Sequence, residues 1–478
     1  MEEFKQLDQD GFSTEQERTL EGVVWRKLDR RILPICTMFY LLSFLDRGNI
    51  ANARVAGMQT ALDLSNYQYS IALTLTYIPY IAAELPSNLV LRYVGPNLML
   101  PAMVTAWGII CTMQGLVHDY AGLLACRFCL GLVEGGLFPG LVLYLSLFYP
   151  RERLQIRIAT FFASASLSGA FSGLFAAAIT QMDGVGGKPG WAWIFILEGL
   201  FTLLFGIISF FGLPRSPVDI QFLVNEERSY VIQKLKRAGA ISEDDKKDDF
   251  SWMEVVKSAQ SPQVWLVSVI SFLNEPGTLL YSIAYFEPTI VQGLGYTGNR
   301  AQLMSVPPFA IAFCFSMVSA LVSDRYSCRG LTVIIFSTFS TIGYSMFHAS
   351  TSHQIRYLSL FFSTTGCYGG GPSVIAWVAN NSAPHARRAT SVAIAFILGN
   401  SGGILATWLL GSLSPAPNYT KATVTFITMS VASVALSTTS LCYLQRQNRM
   451  KAEQRLASVR DDEPEHLGDR SAWFVYSL

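Results

Sequence analysis

The sequence predicts an all-α membrane protein whose twelve transmembrane helices form two bundles of six. Composition is the first reason: 51% of the 478 residues are hydrophobic and only 14% are charged, where a soluble domain carries about 25% charged residues. Spacing is the second. Apolar runs long enough to cross a bilayer recur along the chain, six on each side of one polar interval.

A hydrocarbon core of ~30 Å takes ~20 mainly apolar residues in a helix. Such runs lie at about residues 32–53, 68–91, 97–117, 121–148, 158–180 and 191–213, then at 263–291, 300–322, 331–349, 355–379, 388–412 and 420–444. Residues 1–31 are polar and show no charged-then-apolar signal sequence, so the first span is expected to serve as its own insertion signal. Residues 214–262, with Glu226-Glu227-Arg228 and Lys234-Leu235-Lys236-Arg237, form a soluble connector, and 445–478 a polar tail.

Lys and Arg gather in alternate connections. Arg26, Lys27, Arg30, Arg31, Arg92, Arg151, Arg153, Arg157, Arg325, Arg329, Arg387, Arg388, Arg446, Arg449, Lys451 and the connector fall on one side, against only Arg54, Lys188, Arg300, Arg356 and Lys421 on the other. Basic residues near span ends stay cytoplasmic. Both termini and the connector are therefore expected in the cytoplasm, which leaves the Asn418-Tyr419-Thr420 glycosylation sequon outside.

The halves also resemble each other. A common offset of 234 pairs Gly135-Gly136 with Gly369-Gly370, Pro150 with Pro384, Arg153 with Arg387 and Gly169 with Gly403. Parallel repeats of this kind build two-domain rocking transporters, with the ligand near the midplane between the halves.

Other classes are excluded on composition. A net charge of +1 from 35 basic and 34 acidic residues gives no field for nucleic acid. The eight cysteines mostly lie in apolar runs and read as small buried hydrophobes. No His cluster or nucleophile with a nearby base stands in the spans, so no enzyme, metal or cofactor is expected.

Charges inside the bilayer point to function, because each costs ~2.5 to 3.5 kcal/mol or more to insert. Asp46 and Arg47 in span 1 and Arg127 and Glu134 in span 4 fall at one depth when counted from the outer ends at ~1.5 Å per residue. Arg127 and Glu134 are seven apart, two turns along one face, with Gly131, Gly135 and Gly136 allowing close approach. Two guanidinium and two carboxylate groups sum to zero. Protonating an acid would free an arginine to grip a planar carboxylate with two parallel bonds. Arg47 and Arg127 are thus expected to bind an anion, Asp46 and Glu134 to carry the proton, and Arg127 to pair with Glu134 in between. The offset maps Asp46, Arg47, Arg127 and Glu134 onto Leu280, Tyr281, Phe361 and Tyr368. The second half should supply shape and neutral hydrogen bonds, with Tyr281 and Asn400 on the substrate. Glu84 in span 2 and Glu275, where Pro276 and Gly277 break span 7, are candidate gates.

These residues resemble the major facilitator superfamily, and within it the anion:cation symporters of the fungal allantoate/nicotinate permease branch. The matching stretches are Phe39 to Ala53, Glu84 to Leu89, Arg127 to Gly140, Trp193 to Gly199, Pro288-Thr289-Ile290, Asn380-Asn381 and Gly399 to Gly403. The resemblance implies a monomeric, proton-coupled carrier of a small organic anion at the plasma membrane, with Asp46, Arg47, Arg127 and Glu134 in the binding and relay positions. It also makes Asp324-Arg325 with Arg329 the superfamily's loop signature after span 8, while Arg92 after span 2 stands without its Asp. Export of a metabolite would use the same fold. A non-transporting nutrient receptor would need a larger tail than the one after span 12.

Overall fold

The computed structural model describes residues 14–237, 252–274, 277–457 and 467–478. It is helical, and twelve passes follow one another: Leu33–Val55, Asn66–Val94, Pro96–Gln114, Tyr120–Glu134 continued by Leu137–Phe148, Arg151–Ile179, Gly190–Ser209, Pro262–Leu273 continued by Thr278–Gly293, Gly298–Tyr326, Arg329–Ala349, His353–Gly369 continued by Gly371–Asn380, His385–Trp408, and Thr420–Ala457. These are spans 1 to 12. Nine stretches among the described residues are long and apolar enough to cross a membrane by length and composition. Spans 1, 2 and 10 fall short of that mark. Span 1 carries Asp46, Arg47 and Arg54, span 2 carries Glu84 and Arg92, and span 10 is rich in Ser, Thr and Gly from Ser359 to Ser373.

Local signals start and stop these helices. Ser65 opens span 2 with a reciprocal cap, Gln68 N donating to Ser65 Oγ at 3.2 Å and Ser65 N to Gln68 Oε1 at 2.9 Å, worth about 1 kcal/mol. Asp119 caps span 4 by accepting from Gly122 N at 2.8 Å. The breaks in spans 4 and 10, at Gly135-Gly136 and Gly370, are repeat mates.

Lipid gives helices no hydrophobic reason to associate, so contact depends on close packing at small residues. A Cβ on Gly108 in span 3 would lie 2.5 Å from Leu203 N, and one on Gly199 in span 6 the same distance from Thr112 N. Spans 3 and 6 therefore pack backbone to backbone. Gly131 does the same for span 4, where a Cβ would strike the Thr76 carbonyl of span 2.

The halves meet along spans 1, 2 and 5 on one side and 7, 8 and 11 on the other. At the side away from the connector they are sealed: Ser70 Oγ donates to Thr407 O at 3.2 Å, the Thr74 and Thr407 hydroxyls are 3.1 Å apart, and Thr180 Oγ1 donates to Asn299 Oδ1 at 2.8 Å. Deeper in, Phe138 stacks on Phe396 at 4.1 Å.

On the connector side each half carries its own brace. In the first, helix Thr14–Arg31 pairs Glu21 with Arg153 and Asp29 with Arg157, and helix Asn225–Arg237 adds Glu227 to Lys27 and Tyr230 against Trp25. In the second, helix Trp252–Ala259 pairs Glu254 with Arg387 at 2.8 Å, and residues 467–478 fold back beneath the bundle. There Asp469 pairs with Arg387 and accepts from Gln263 Nε2, while Trp377 Nε1 and Asn381 Nδ2 each donate to Ser477 O at 3.0 Å.

Candidate substrate and proton site

Consecutive residues on a helix point about 100° apart, and span 1 uses this to send Asp46 and Arg47 to different neighbours. Arg47 faces the other half. Its Nε donates to Glu134 Oε1 at 2.8 Å and its Nη1 to the Tyr281 hydroxyl at 3.2 Å, and that hydroxyl donates to Asn400 Oδ1 at 2.9 Å. The guanidinium lies over the rings of Tyr80, 4.6 Å from the centroid, and Phe44, 5.4 Å away, within the range of a cation–π attraction. Tyr77, Tyr281 and Tyr285 pack around it with ring centroids 5.0 to 6.2 Å apart.

Asp46 instead points into the first half. Its Oδ2 accepts from Trp107 Nε1 of span 3 and Thr202 Oγ1 of span 6, both at 3.0 Å, and Asn49 Nδ2 approaches Oδ1 at 3.4 Å.

Arg127 is the odd member. It is completely buried, and none of its three guanidinium nitrogens has a hydrogen-bond partner. The ionisable groups acting on it include the hydroxyls of Tyr285 and Tyr69, the thiols of Cys111 and Cys126 and, without a hydrogen bond, the carboxylate of Asp46. Cys126 and Cys129 flank it at C-x-x-C spacing, and both are free thiols.

The expected pairing of Arg127 with Glu134 is therefore corrected: Glu134 belongs to Arg47. Two turns separate Arg127 and Glu134 by ~10.5 Å along the axis. Both side chains lean toward the helix N-terminus, so that gap does not close. Span 1 crosses at the level of Glu134 and supplies the nearer cation. The neutral character expected of the second half holds around Tyr281 and Asn400, yet Glu287 is wholly buried in span 7, with Oε2 accepting from Thr364 Oγ1 at 3.0 Å.

The remaining candidates lie apart from this centre. Glu84 is buried in span 2 with Oε2 unbonded. Glu275 falls outside the described residues. Asp324 pairs with Arg329 at 3.5 Å, Arg329 Nη1 donates to Ala376 O at 3.0 Å, and Arg325 is exposed. Asn418 is exposed on the sealed side, its Oδ1 accepting from Arg356 Nη2 at 2.9 Å. Sequence reasoning missed Trp107 and Thr202, for which periodicity holds no signal. It also missed the aromatic wall, for which Tyr281 and Tyr285 at i, i+4 were a readable sign.

The sequence profile of the Major Facilitator Superfamily matches residues 36–407. The chain belongs to that superfamily. It is a transporter, not an enzyme. An uncharacterized transporter of Schizosaccharomyces pombe is 34% identical over 95% of this chain and 89% of its own length. The high-affinity nicotinic acid transporter of Saccharomyces cerevisiae is 28% identical over 98% of this chain and 87% of its own. Among solved structures, the xylose transporter of E. coli in a partially occluded inward open conformation aligns with a TM-score of 0.66 over 86% of this chain and 97% of that one. At 14% identity, that likeness speaks for the major facilitator fold alone.

Proposed function

We propose that this transporter is a proton-coupled symporter of a small organic anion, working as a monomer in the plasma membrane with its connector side in the cytoplasm. The observation that carries the reading is Arg127, a completely buried guanidinium with no bonded partner. Such a group is costly to bury unless a ligand compensates it, and a carboxylate matches its fork geometry.

Arg47 supplies the coupling. While Glu134 is ionised, Arg47 is neutralised by it at 2.8 Å. Protonation of Glu134 releases Arg47 to join Arg127 in holding the anion, and proton loss restores the pair and expels the substrate. Asp46, held by Trp107, Thr202 and Asn49, is the second proton site. The halves, residues 32–213 and 263–444, rock about this centre. Tyr77, Tyr80, Tyr281 and Tyr285 offer flat faces to a planar substrate, which suits an aromatic monocarboxylate such as the one in the yeast relative's name.

Radiolabelled uptake across a panel of vitamins, ureides and organic acids, with and without an inward proton gradient, tests this. The expected result is accumulation of a monocarboxylate that collapses with the gradient. Accumulation of neutral solutes only would refute the reading.

A further inference from the structure

A third acid stands behind the two already assigned. Glu198 in span 6 is 5% exposed, and neither of its carboxyl oxygens has a hydrogen-bond partner. Thr202, one turn further along the same helix, donates to Asp46. Spans 1 and 6 run in opposite directions, so the turn before Thr202 lies beside the turn after Asp46. That turn holds Asn49, and Glu198 faces both Asn49 and Asp46.

The backbone contact of Gly199 with Cys111 and Thr112 presses this part of span 6 onto span 3. Asp46 of span 1 is the titratable group that acts on Glu198, and Asp46, Arg127, Glu134 and Glu198 all act on the thiol of Cys111 in span 3, which places the four in one buried cluster. Span 5 contributes Ser172, whose Oγ donates to Asn49 Oδ1 at 3.4 Å. Among the described residues no cation bonds either Asp46 or Glu198.

The charge count then changes. Asp46, Glu134 and Glu198 against Arg47 and Arg127 leave one negative charge in excess if every group is ionised, and one bound proton makes the buried cluster neutral. Glu134 is bonded to Arg47, and Asp46 accepts from Trp107, Thr202 and Asn49. Neither oxygen of Glu198 is held at hydrogen-bonding distance, and Asn49, the amide that faces it, is shared with Asp46.

We propose that Glu198 is a positioning residue of the transport site that holds this proton beside Asp46, keeping the substrate-free cluster neutral and Arg127 available to an anion. When Glu198 loses the proton, the buried cluster gains a negative charge that opposes entry of the anion. The charge count rests on geometry alone. Only its consequence for transport rests on the proton-coupled reading above.

Two measurements on purified full-length protein in proteoliposomes test it. Infrared spectra of the substrate-free protein, exchanged between H2O and D2O, should show one protonated-carboxyl component in wild type that E198Q lacks and E198D keeps. Counterflow KM for the transported anion should rise with pH by about 100-fold per unit at the limit in wild type, for two linked protons. In E198Q it should rise by about tenfold, for one, and E198D should restore the steeper slope. Persistence of every carboxyl component in E198Q, or equal slopes in E198Q and wild type, overturns the proposal. A wild-type KM indifferent to pH refutes proton coupling instead, and the infrared result still decides the place of Glu198.

Discussion

Arg47 and Tyr281 are separated by 234 residues, the offset that relates the two halves, and they are hydrogen-bonded to each other at 3.2 Å. Two repeat mates can touch only where the axis relating the repeats passes between them. The centre of the transporter is thus marked by one charged and one neutral residue at equivalent positions. Tyr281 also donates to Asn400, so its hydroxyl ties span 1 to spans 7 and 11.

Tyr281→Phe removes both bonds and keeps the ring. Only the bond to Arg47 crosses between the halves, and a typical buried hydrogen bond contributes about 1 kcal/mol, so the conformational equilibrium should move about fivefold away from the state sealed opposite the connector. Accessibility of a cysteine placed at Ser70 or Thr407 to a membrane-impermeant thiol reagent reads this. An unchanged labelling rate would mean that the bonds carry no weight in the equilibrium.

Arg127→Ala should lower transport of the anion by more than a hundredfold with surface delivery intact, since no other unbonded guanidinium lies at that depth among the described residues. Arg127→Lys should do little better, because an ammonium does not reproduce the two-bond fork. Normalised uptake within tenfold of wild type in either variant would remove Arg127 from the site.

Glu134→Gln imitates the protonated acid and leaves Arg47 without its 2.8 Å partner. Counterflow exchange should persist while accumulation driven by a pH gradient is lost. Asp46→Asn assayed beside it separates the two acids, which titrate as a coupled set. Full concentrative uptake by Glu134→Gln would show that the proton travels elsewhere.

Outside the membrane, Glu254 is partly desolvated, which pushes its carboxyl up, but hydrogen bonds from Lys257 and Arg387 outweigh that and hold it below the usual value of 4.5. A depressed acid stabilises the fold above its unfolded pKa, and the contribution is lost as pH falls through the folded one. Docking of helix Trp252–Ala259 should therefore be intact above pH 4.5 and weaken below it. Hydrogen exchange of residues 252–259 against pH measures this, and Glu254→Gln should abolish the pH dependence.

The twelve passes were legible because a bilayer imposes one length on every apolar run, but the common depth expected of Arg47, Arg127 and Glu134 was not exact, since Arg47 stands level with Glu134 and Arg127 lies two turns, ~10.5 Å, away along span 4. Their pairing was not legible. Spacing within span 4 places Arg127 and Glu134 on one face, but which acid meets which base is decided by where span 1 crosses, and no residue within span 4 encodes that. Asp46 shows the same limit. Its neighbour Arg47 faces the other half, and only the positions of Trp107 and Thr202 reveal that Asp46 turns the opposite way.

The braces on the connector side extend the internal symmetry past the membrane. Arg153 and Arg387 are repeat mates, and each pairs with a glutamate from the helix that precedes the first span of its half. Each half is also closed by the chain that follows its sixth span: helix Asn225–Arg237 in one, residues 467–478 in the other. Each half is therefore braced from both of its flanks as well as by its six spans. A transporter expressed as two separate polypeptides should reassemble best when cut between 238 and 251, where each fragment keeps its own flanks. A cut at 214 would strip the first fragment of Tyr230 and Glu227.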